Sequence, residues 1–96
     1  MKIDFDGVQA FVAVADLGGF NKAAEQLHIT QTALTRRIQK LETYLALKLL
    51  DRTTRRVELT AVGRDFLPRA RNIVLDMTSA VERLKDMSQH ARGNIT

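Results

Sequence analysis

Residues 23–42, with the sequence AAEQLHITQTALTRRIQKLE, constrain the fold more than any other stretch, because two short amphipathic patterns meet there at a tight break. His28 and Ile29 form the break, and Thr30 is a natural N-cap for the helix that follows. Four aliphatic residues of that helix fall on one narrow arc, at Leu34, Ile38, Leu41 and Leu45. The pattern predicts a helix-turn-helix whose second helix runs from residue 30 to about residue 45.

The opposite side of this helix carries polar side chains that suit DNA. In a helix-turn-helix the second helix lies in the major groove, where glutamine can pair with adenine, arginine with guanine, and a threonine methyl can pack on thymine. Arg36 is near the middle of the exposed arc and is the first candidate for a base or deep phosphate contact, whereas Lys40 on the flank fits the phosphate backbone. The candidate DNA-binding residues of this helix are Thr30, Gln31, Thr32, Thr35, Arg36, Gln39 and Lys40.

The positive charge of the chain is concentrated in one segment. The formal net charge is +4, yet residues 36–56 hold seven basic residues and two acidic ones, while the rest of the chain is nearly balanced. Such a segment is typical of a phosphate-facing surface and, equally, of a solvated charged face. Its last part, 52–56, predicts a loop that enters a narrow minor groove, with Thr54, Arg55 and Arg56 as candidate DNA contacts. Arg52 is ambiguous: an arginine behind two leucines often packs and pairs structurally, so it is a weaker candidate for a DNA contact than Arg55.

Weaker patterns complete a mainly α fold with a small β-wing. Asp4 or Asp6 can cap a first helix that ends at residues 18–19, both glycine, and a short second helix follows. Segments 47–52 and 56–59 indicate two short strands, although a plain loop also fits because neither Asn-Gly nor Asp-Gly stands between them. We therefore expect a winged helix-turn-helix domain over residues 1–59.

A long final helix is predicted over residues 60–90, with Thr60 as its cap. Its apolar residues alternate in steps of four and three, as in a coiled coil: Phe66, Ala70, Ile73, Met77, Ala80, Leu84 and Met87. We expect this row to form a dimer interface with a partner helix. Pro68 predicts a kink or a fresh helix start, and Gly63 predicts close packing against the first helix. Residues 91–96 are expected to begin a hinge.

Other classes of protein fit the sequence less well. No cysteine is present, and His28 and His90 are far apart, so we expect neither a metal site nor a cofactor. No nucleophile–base pair or paired carboxylates indicate an enzyme. A protein-interaction module would explain the coiled-coil pattern but not the concentration of arginine and lysine. The few aromatic residues disfavour RNA binding. With no signal peptide or membrane-spanning run, we expect a cytoplasmic protein that does not bind membranes.

At these positions the sequence resembles the N-terminal domain of LysR-type transcriptional regulators. The matching elements are FVAVADLGGFNKAAEQL, ITQTALTRRIQKLE, LLDRTTRRVELTAVG and the long helix after them. The resemblance implies a bacterial DNA-binding domain whose linker helix dimerises antiparallel with its mate, and double-stranded DNA carrying an interrupted palindrome as its partner. By position, the groove-reading residues of the family fall on Gln31, Thr32, Thr35 and Arg36, and its wing arginine falls on Arg55.

Several positions depart from the family pattern. The family often has Pro at Thr32 and Ser at Thr35, so the base preference can differ. It usually has Gly at Ala46, which leaves the end of the third helix open, and it commonly has Phe at Leu50. Family members also carry an effector-binding domain after the linker helix. We therefore expect this chain to be a piece of a longer protein, whose small-molecule effector binds in a domain that is absent here.

Overall fold

Four helices and a two-stranded antiparallel sheet make up the part of the chain that the computed structural model describes, residues 4–52 and 57–93. Their order is α1 (Phe5–Leu17), α2 (Phe20–Leu27), α3 (Gln31–Leu45), β1 (Leu50–Asp51), β2 (Glu58–Leu59) and α4 (Ala61–Gly93). The predicted mainly α fold with a short β-wing and a long last helix is confirmed.

Helix α1 lies at the centre of the core and contacts α2, α3 and α4. Phe11 is fully buried and its ring stacks on Phe66 of α4, with 5.7 Å between the ring centroids. Leu34 and Ile38 of α3 are also fully buried, as is Ala70 of α4. Because each buried large aliphatic or aromatic side chain stabilises the fold by about 1.5–3 kcal/mol, this cluster fixes how the helices are arranged.

The ends of α1 and α3 lie where the sequence predicts them, with one difference in capping. Gly18 ends α1 in a left-handed conformation, at φ 76°, and donates its N–H to the Val14 carbonyl at 2.9 Å. Asp4 occupies the N-cap position of α1, but its side chain makes no capping hydrogen bond. Helix α3 ends at Leu45, and Ala46 follows it with a positive φ of 56°. Ala46 thus stands where the family usually has glycine, and it adopts a left-handed backbone conformation.

The strands are shorter than predicted. The expected segments were 47–52 and 56–59, whereas each observed strand has two residues, with Leu50 paired to Leu59 and Asp51 to Glu58. Residue 47 is not part of a strand because its N–H bonds back to the Glu42 carbonyl at 3.1 Å and completes the end of α3. Between the strands, residues 53–56 lie outside the described part of the chain.

Helix α4 passes through Pro68 as one continuous element, so the predicted fresh helix start is wrong. Proline removes one backbone donor and costs about 3 kcal/mol inside a helix. Pro68 itself is exposed, but Leu67 beside it and Ala70 after it are buried in the core, and this packing offsets the missing hydrogen bond. The helix also continues to Gly93, past the boundary predicted at residue 90. Its first turns belong to the core, where Leu67 and Ala70 are buried.

Thr60 joins the start of α4 to the chain before β1. Its hydroxyl accepts a hydrogen bond from the Gly63 N–H at 3.0 Å and donates one to the Lys48 carbonyl at 2.6 Å, which confirms the predicted cap. Gly63 packs closely against Leu49 of this same segment, whereas the sequence had suggested close packing against α1. A Cβ atom at Gly63 would lie 2.2 Å from the Leu49 carbonyl oxygen, so only glycine fits there.

Over the described ranges, no helix is long and apolar enough to cross a bilayer.

Replacing Ala46 by glycine should stabilise the domain. A residue with a Cβ atom is strained in the left-handed region by about 1–2 kcal/mol, and glycine relieves that strain while losing more backbone entropy on folding. We expect Ala46→Gly to raise the free energy of unfolding by about 1 kcal/mol, and the Tm by about 4–8 °C. The control Ala15→Gly, in the regular backbone of α1, should lower stability by about 1 kcal/mol. A lower Tm for Ala46→Gly would contradict the strain that its φ indicates.

Candidate nucleic-acid interface

Helix α3 is amphipathic in the sense that the sequence predicts. Leu34, Ile38 and Leu41 are buried against the core, and Leu45 is half-buried and packs on it. The opposite face is exposed over three turns and contains Gln31, Thr32, Arg36, Gln39, Lys40 and Thr43. Thr35 is half-buried at the edge of this face. Arg36 is therefore turned toward solvent, as the DNA-binding interpretation requires, and Arg37 is half-buried at the margin of the core.

The turn between α2 and α3 is held by backbone hydrogen bonds and by one capping side chain. His28 adopts a left-handed conformation at φ 58° and donates its N–H to the Glu25 carbonyl at 3.2 Å. The Ile29 N–H bonds to the Ala24 carbonyl at 3.0 Å. Thr30 then caps α3, because its hydroxyl oxygen accepts the Ala33 N–H at 3.1 Å. These bonds set the direction in which α3 leaves the turn.

Two predicted DNA-binding side chains at the start of α3 are engaged within the protein. The Thr30 hydroxyl is the N-cap of α3, and the Gln31 side-chain amide donates a hydrogen bond to the Asn21 side-chain oxygen of α2. The contact of Gln31 with Asn21 links the first residue of α3 to the neighbouring helix. Gln31 is nevertheless exposed, so a base edge can reach the rest of its amide group.

Glu42, which the sequence analysis did not single out, joins α3 to the base of the wing. It is buried, and its Oε2 accepts hydrogen bonds from the backbone N–H groups of Leu49, at 2.8 Å, and Leu50, at 3.2 Å. Its Oε1 lies 3.9 Å from Nη2 of Arg52, and the Arg52 guanidinium lies over the Phe20 ring, 4.7 Å from its centroid. Arg52 therefore packs and pairs structurally, which is one of the two roles that the sequence left open. One carboxylate thus positions the first strand of the wing relative to α3.

A signal for Glu42 was present in the sequence. Its position, four residues after Ile38 and next to Leu41, puts a carboxylate at the edge of the aliphatic arc of α3. A charged group at the edge of a core needs hydrogen-bond partners, and the free backbone amides of a following turn supply them. Its partners, however, lie seven and eight residues further along the chain and are defined only by the fold.

The predicted wing contacts fall in the part of the chain that the structure leaves undescribed. Thr54, Arg55 and Arg56 belong to residues 53–56, so their roles stay predictions. What the structure describes is the pair of strands on either side, β1 and β2, and the attachment of β1 to α3 through Glu42. Residues 53–56, which carry the two predicted arginines, thus follow shortly after β1, the strand that is held against α3.

The row of apolar residues predicted as a dimer interface divides into two parts. Ala70 is 0% exposed, and Phe66 is half-buried and stacked on Phe11 of the same chain. The core of the protomer thus covers Ala70 and part of Phe66, and the contact of this row with a partner helix stays a prediction. Further along α4 the core ends, and the remaining residues of the row are exposed: Ile73, Met77, Ala80, Leu84 and Met87. Val81, which the sequence analysis omitted, lies among them and is also exposed.

Comparison with known proteins establishes the family. Residues 5–64 match the model of the bacterial regulatory helix-turn-helix proteins of the lysR family. The chain belongs to the LysR family. The resemblance seen in the sequence is thus confirmed, and the chain is a LysR-family helix-turn-helix DNA-binding domain. It is 43% identical over 96 residues to YbhD of Escherichia coli, an HTH-type transcriptional regulator. The aligned region spans 100% of this chain and 30% of YbhD.

Solved structures of the family that contain DNA share this fold. The BenM DNA-binding domain, in its complex with catB site 1 DNA, superimposes with a TM-score of 0.79 at 34% identity, over 88% of this LysR-family chain and 94% of BenM's. Vibrio fischeri DarR in complex with DNA gives a TM-score of 0.80 at 32% identity, over 93% of this chain and 30% of DarR. The winged helix-turn-helix is thus the fold of both DNA-bound relatives.

Removing the Glu42 carboxylate should destabilise the domain. Glu42→Ala leaves the N–H groups of Leu49 and Leu50 without their acceptor, and each buried, unpaired donor costs about 1–3 kcal/mol. We expect the free energy of unfolding to fall by about 2–4 kcal/mol in urea titrations followed by circular dichroism. Glu42→Gln keeps one acceptor oxygen but loses the charge, and should lose about half as much.

The control for Glu42 is Glu25→Ala, which removes an exposed acid from α2. It should change the unfolding free energy by no more than about 0.5 kcal/mol. An unfolding midpoint of Glu42→Ala equal to that of the unaltered chain would show that the carboxylate does not hold the wing.

Proposed function

We propose that this chain binds double-stranded DNA sequence-specifically, with α3 in the major groove. One observation carries the proposal: α3 buries Leu34, Ile38 and Leu41 and leaves a polar, basic side exposed over three turns. A helix of this kind fits the major groove of B-DNA, and its exposed glutamine, threonine and arginine side chains match base edges. The DNA complexes of BenM and DarR, which share the fold, support DNA binding by this chain.

We assign different roles to the middle of the exposed α3 face, to its flank and to the wing. Arg36, near the middle of the exposed face, reads a base, and Gln31, Thr32, Thr35 and Gln39 surround it. Lys40 on the flank contacts the phosphate backbone, which adds affinity without sequence information. Arg55 and Arg56 of the wing enter the minor groove beside the site, where a narrow groove raises the negative potential that attracts arginine.

We further propose that two copies join through the exposed half of α4. Ile73, Met77 and Leu84 lie in one row together with Val81, and Ile73 and Leu84 are 44% and 66% exposed in the single chain. An antiparallel pair of such helices covers both apolar rows at once. A dimer of this kind binds an inverted repeat, and its half-sites lie about 34 Å apart, or a multiple of that distance.

The remaining elements of the proposal concern the protein to which this domain belongs. The chain spans 30% of the length of YbhD. We propose that the whole protein is a cytoplasmic transcriptional regulator without enzymatic activity, and that a small-molecule effector binds to another part of that protein. The regulators among its relatives support this assignment.

The test of the major-groove role is a comparison of two substitutions at Arg36. Arg36→Ala should lower the affinity for a selected cognate site by about 1–3 kcal/mol and relax the choice of base at one position. Arg36→Lys keeps the charge but loses the planar fork that pairs with guanine, so it should lose specificity while retaining most of its affinity for random DNA. Affinities for cognate and random duplexes are measured by fluorescence anisotropy at fixed salt.

An equal loss on cognate and random DNA for both substitutions would assign Arg36 to the phosphate backbone. If the unaltered chain binds no duplex at all, and selection from random sequence enriches nothing, the proposed function is wrong.

The test of the dimer is a double substitution on the exposed half of α4. Ile73→Glu with Leu84→Glu puts two carboxylates into the proposed interface, and burying unpaired charge there should yield monomers in light scattering. A monomer engages one half-site at a time, so we expect affinity for the full inverted repeat to fall at least about 100-fold. The matched control is Asn72→Glu with Ser79→Glu, which adds the same charge to the opposite, exposed side of the same helix. Dimers that persist only in the control support the interface, and dimers that persist in both variants contradict it.

A further inference from the structure

The first helix places an acidic side chain against the proposed DNA-binding surface. Asp4, at the start of α1, forms an ion pair with Lys40 of α3 across 36 positions of sequence, with Lys40 Nζ 2.9 Å from Asp4 Oδ2. Both side chains are largely exposed, at 57% for Asp4 and 73% for Lys40. The pair is therefore accessible to solvent and to a ligand that approaches α3.

The Asp4 carboxylate does not serve its own helix. Asp4 stands at the N-cap of α1, and its backbone carbonyl accepts the Gly7 N–H at 3.1 Å, but its side chain makes no capping bond. An aspartate at this position ordinarily accepts an N–H of the first turn. Here the carboxylate reaches α3 instead, so local helix capping does not explain its placement.

The pair lies in a cleft that contains most of the charge of the α3 surface. Asp4 and Asp6 line one side of the cleft, and Arg36, Arg37 and Lys40 line the other. Of these three cations, Lys40 is the one paired with a carboxylate within the described part of the chain. Asp6 shares the cleft, but among the same residues it forms no ion pair.

We propose that Asp4 is an internal counterion that competes with a DNA phosphate for Lys40. This inference rests on the proposed function, because it concerns the same surface. A cation that neutralises a phosphate releases one counterion from the DNA and makes binding more sensitive to salt. The paired Asp4 and Lys40 have no net charge together, so they neutralise no phosphate and release no ion. Asp4 thus lowers the affinity for duplex DNA of any sequence and weakens its salt dependence.

The experiment compares the unaltered chain with Asp4→Asn on a random-sequence duplex, by fluorescence anisotropy over a salt series. Asparagine is as good an N-cap as aspartate, so the substitution removes the charge and leaves α1 intact. We expect Asp4→Asn to bind about two- to fivefold more tightly at low salt, the range that corresponds to losing an exposed ion pair. We also expect the slope of log affinity against log salt to become steeper by about 0.9, the contribution of one additional phosphate contact.

Two controls separate the ion pair from the total charge. Asp6→Asn removes the same charge from the same cleft but breaks no ion pair, so it should change the affinity and the slope less than Asp4→Asn. In a Lys40→Ala background, Asp4→Asn should have no effect on the slope, since the cation that the carboxylate neutralises is gone.

Three results would overturn the inference while leaving DNA binding intact: an unchanged affinity and slope for Asp4→Asn, an equal effect of Asp6→Asn, or an effect of Asp4→Asn that persists without Lys40. If the unaltered chain binds no duplex, the proposed function fails and this inference fails with it.

Discussion

Burial of the aliphatic side of α3 against α1 is the constraint on which the rest of the structure depends. Leu34 and Ile38 are fully buried with Phe11, and each such side chain contributes about 1.5–3 kcal/mol. The exposed ion pair of Lys40 with Asp4 contributes at most about 1 kcal/mol. The apolar contacts therefore decide the rotation of α3, and the polar side follows from them. Arg36 faces solvent because the leucines on the other side of the same helix do not.

Glu42 connects α3 to the wing. A carboxylate at the edge of the core accepts two backbone N–H groups of the chain that leads into β1, and it lies near the Arg52 guanidinium. Thr60 holds the same segment from the other side, through hydrogen bonds to the carbonyls of Lys48 and Leu49. A sheet of two residues per strand has little stability by itself. Its position relative to α3 is therefore set by these polar contacts and by the burial of Leu49 and Leu50 in the core, and not by strand pairing.

Helix α4 has two environments along one continuous row of apolar residues. At Phe66 and Ala70 the row is covered by α1, and beyond Ile73 it extends past the core and stays exposed. The same helical repeat is thus packed within the protomer in its first part and exposed in its second. Because the helix passes through Pro68 without a break, the orientation of the exposed half is fixed by the packing of the buried half. Placement of the two recognition helices in a dimer would depend on this continuity.

The sequence by itself determined the helices, the turn and the side of α3 that faces solvent, because these follow from local spacing and capping at residues such as Thr30, Gly18 and Thr60. It did not determine which partner each apolar row would meet. Phe66 and Ala70 belong to the same row of alternating four- and three-residue steps as Ile73 and Leu84. Only the extent of the core decides which residues of the row are buried and which are exposed. Nor did it show the contacts of Glu42, Gly63 and Asp4, whose partners are 7 to 36 residues away. Periodicity reports which side of an element is apolar, whereas contacts between distant residues exist only once the tertiary structure brings them together.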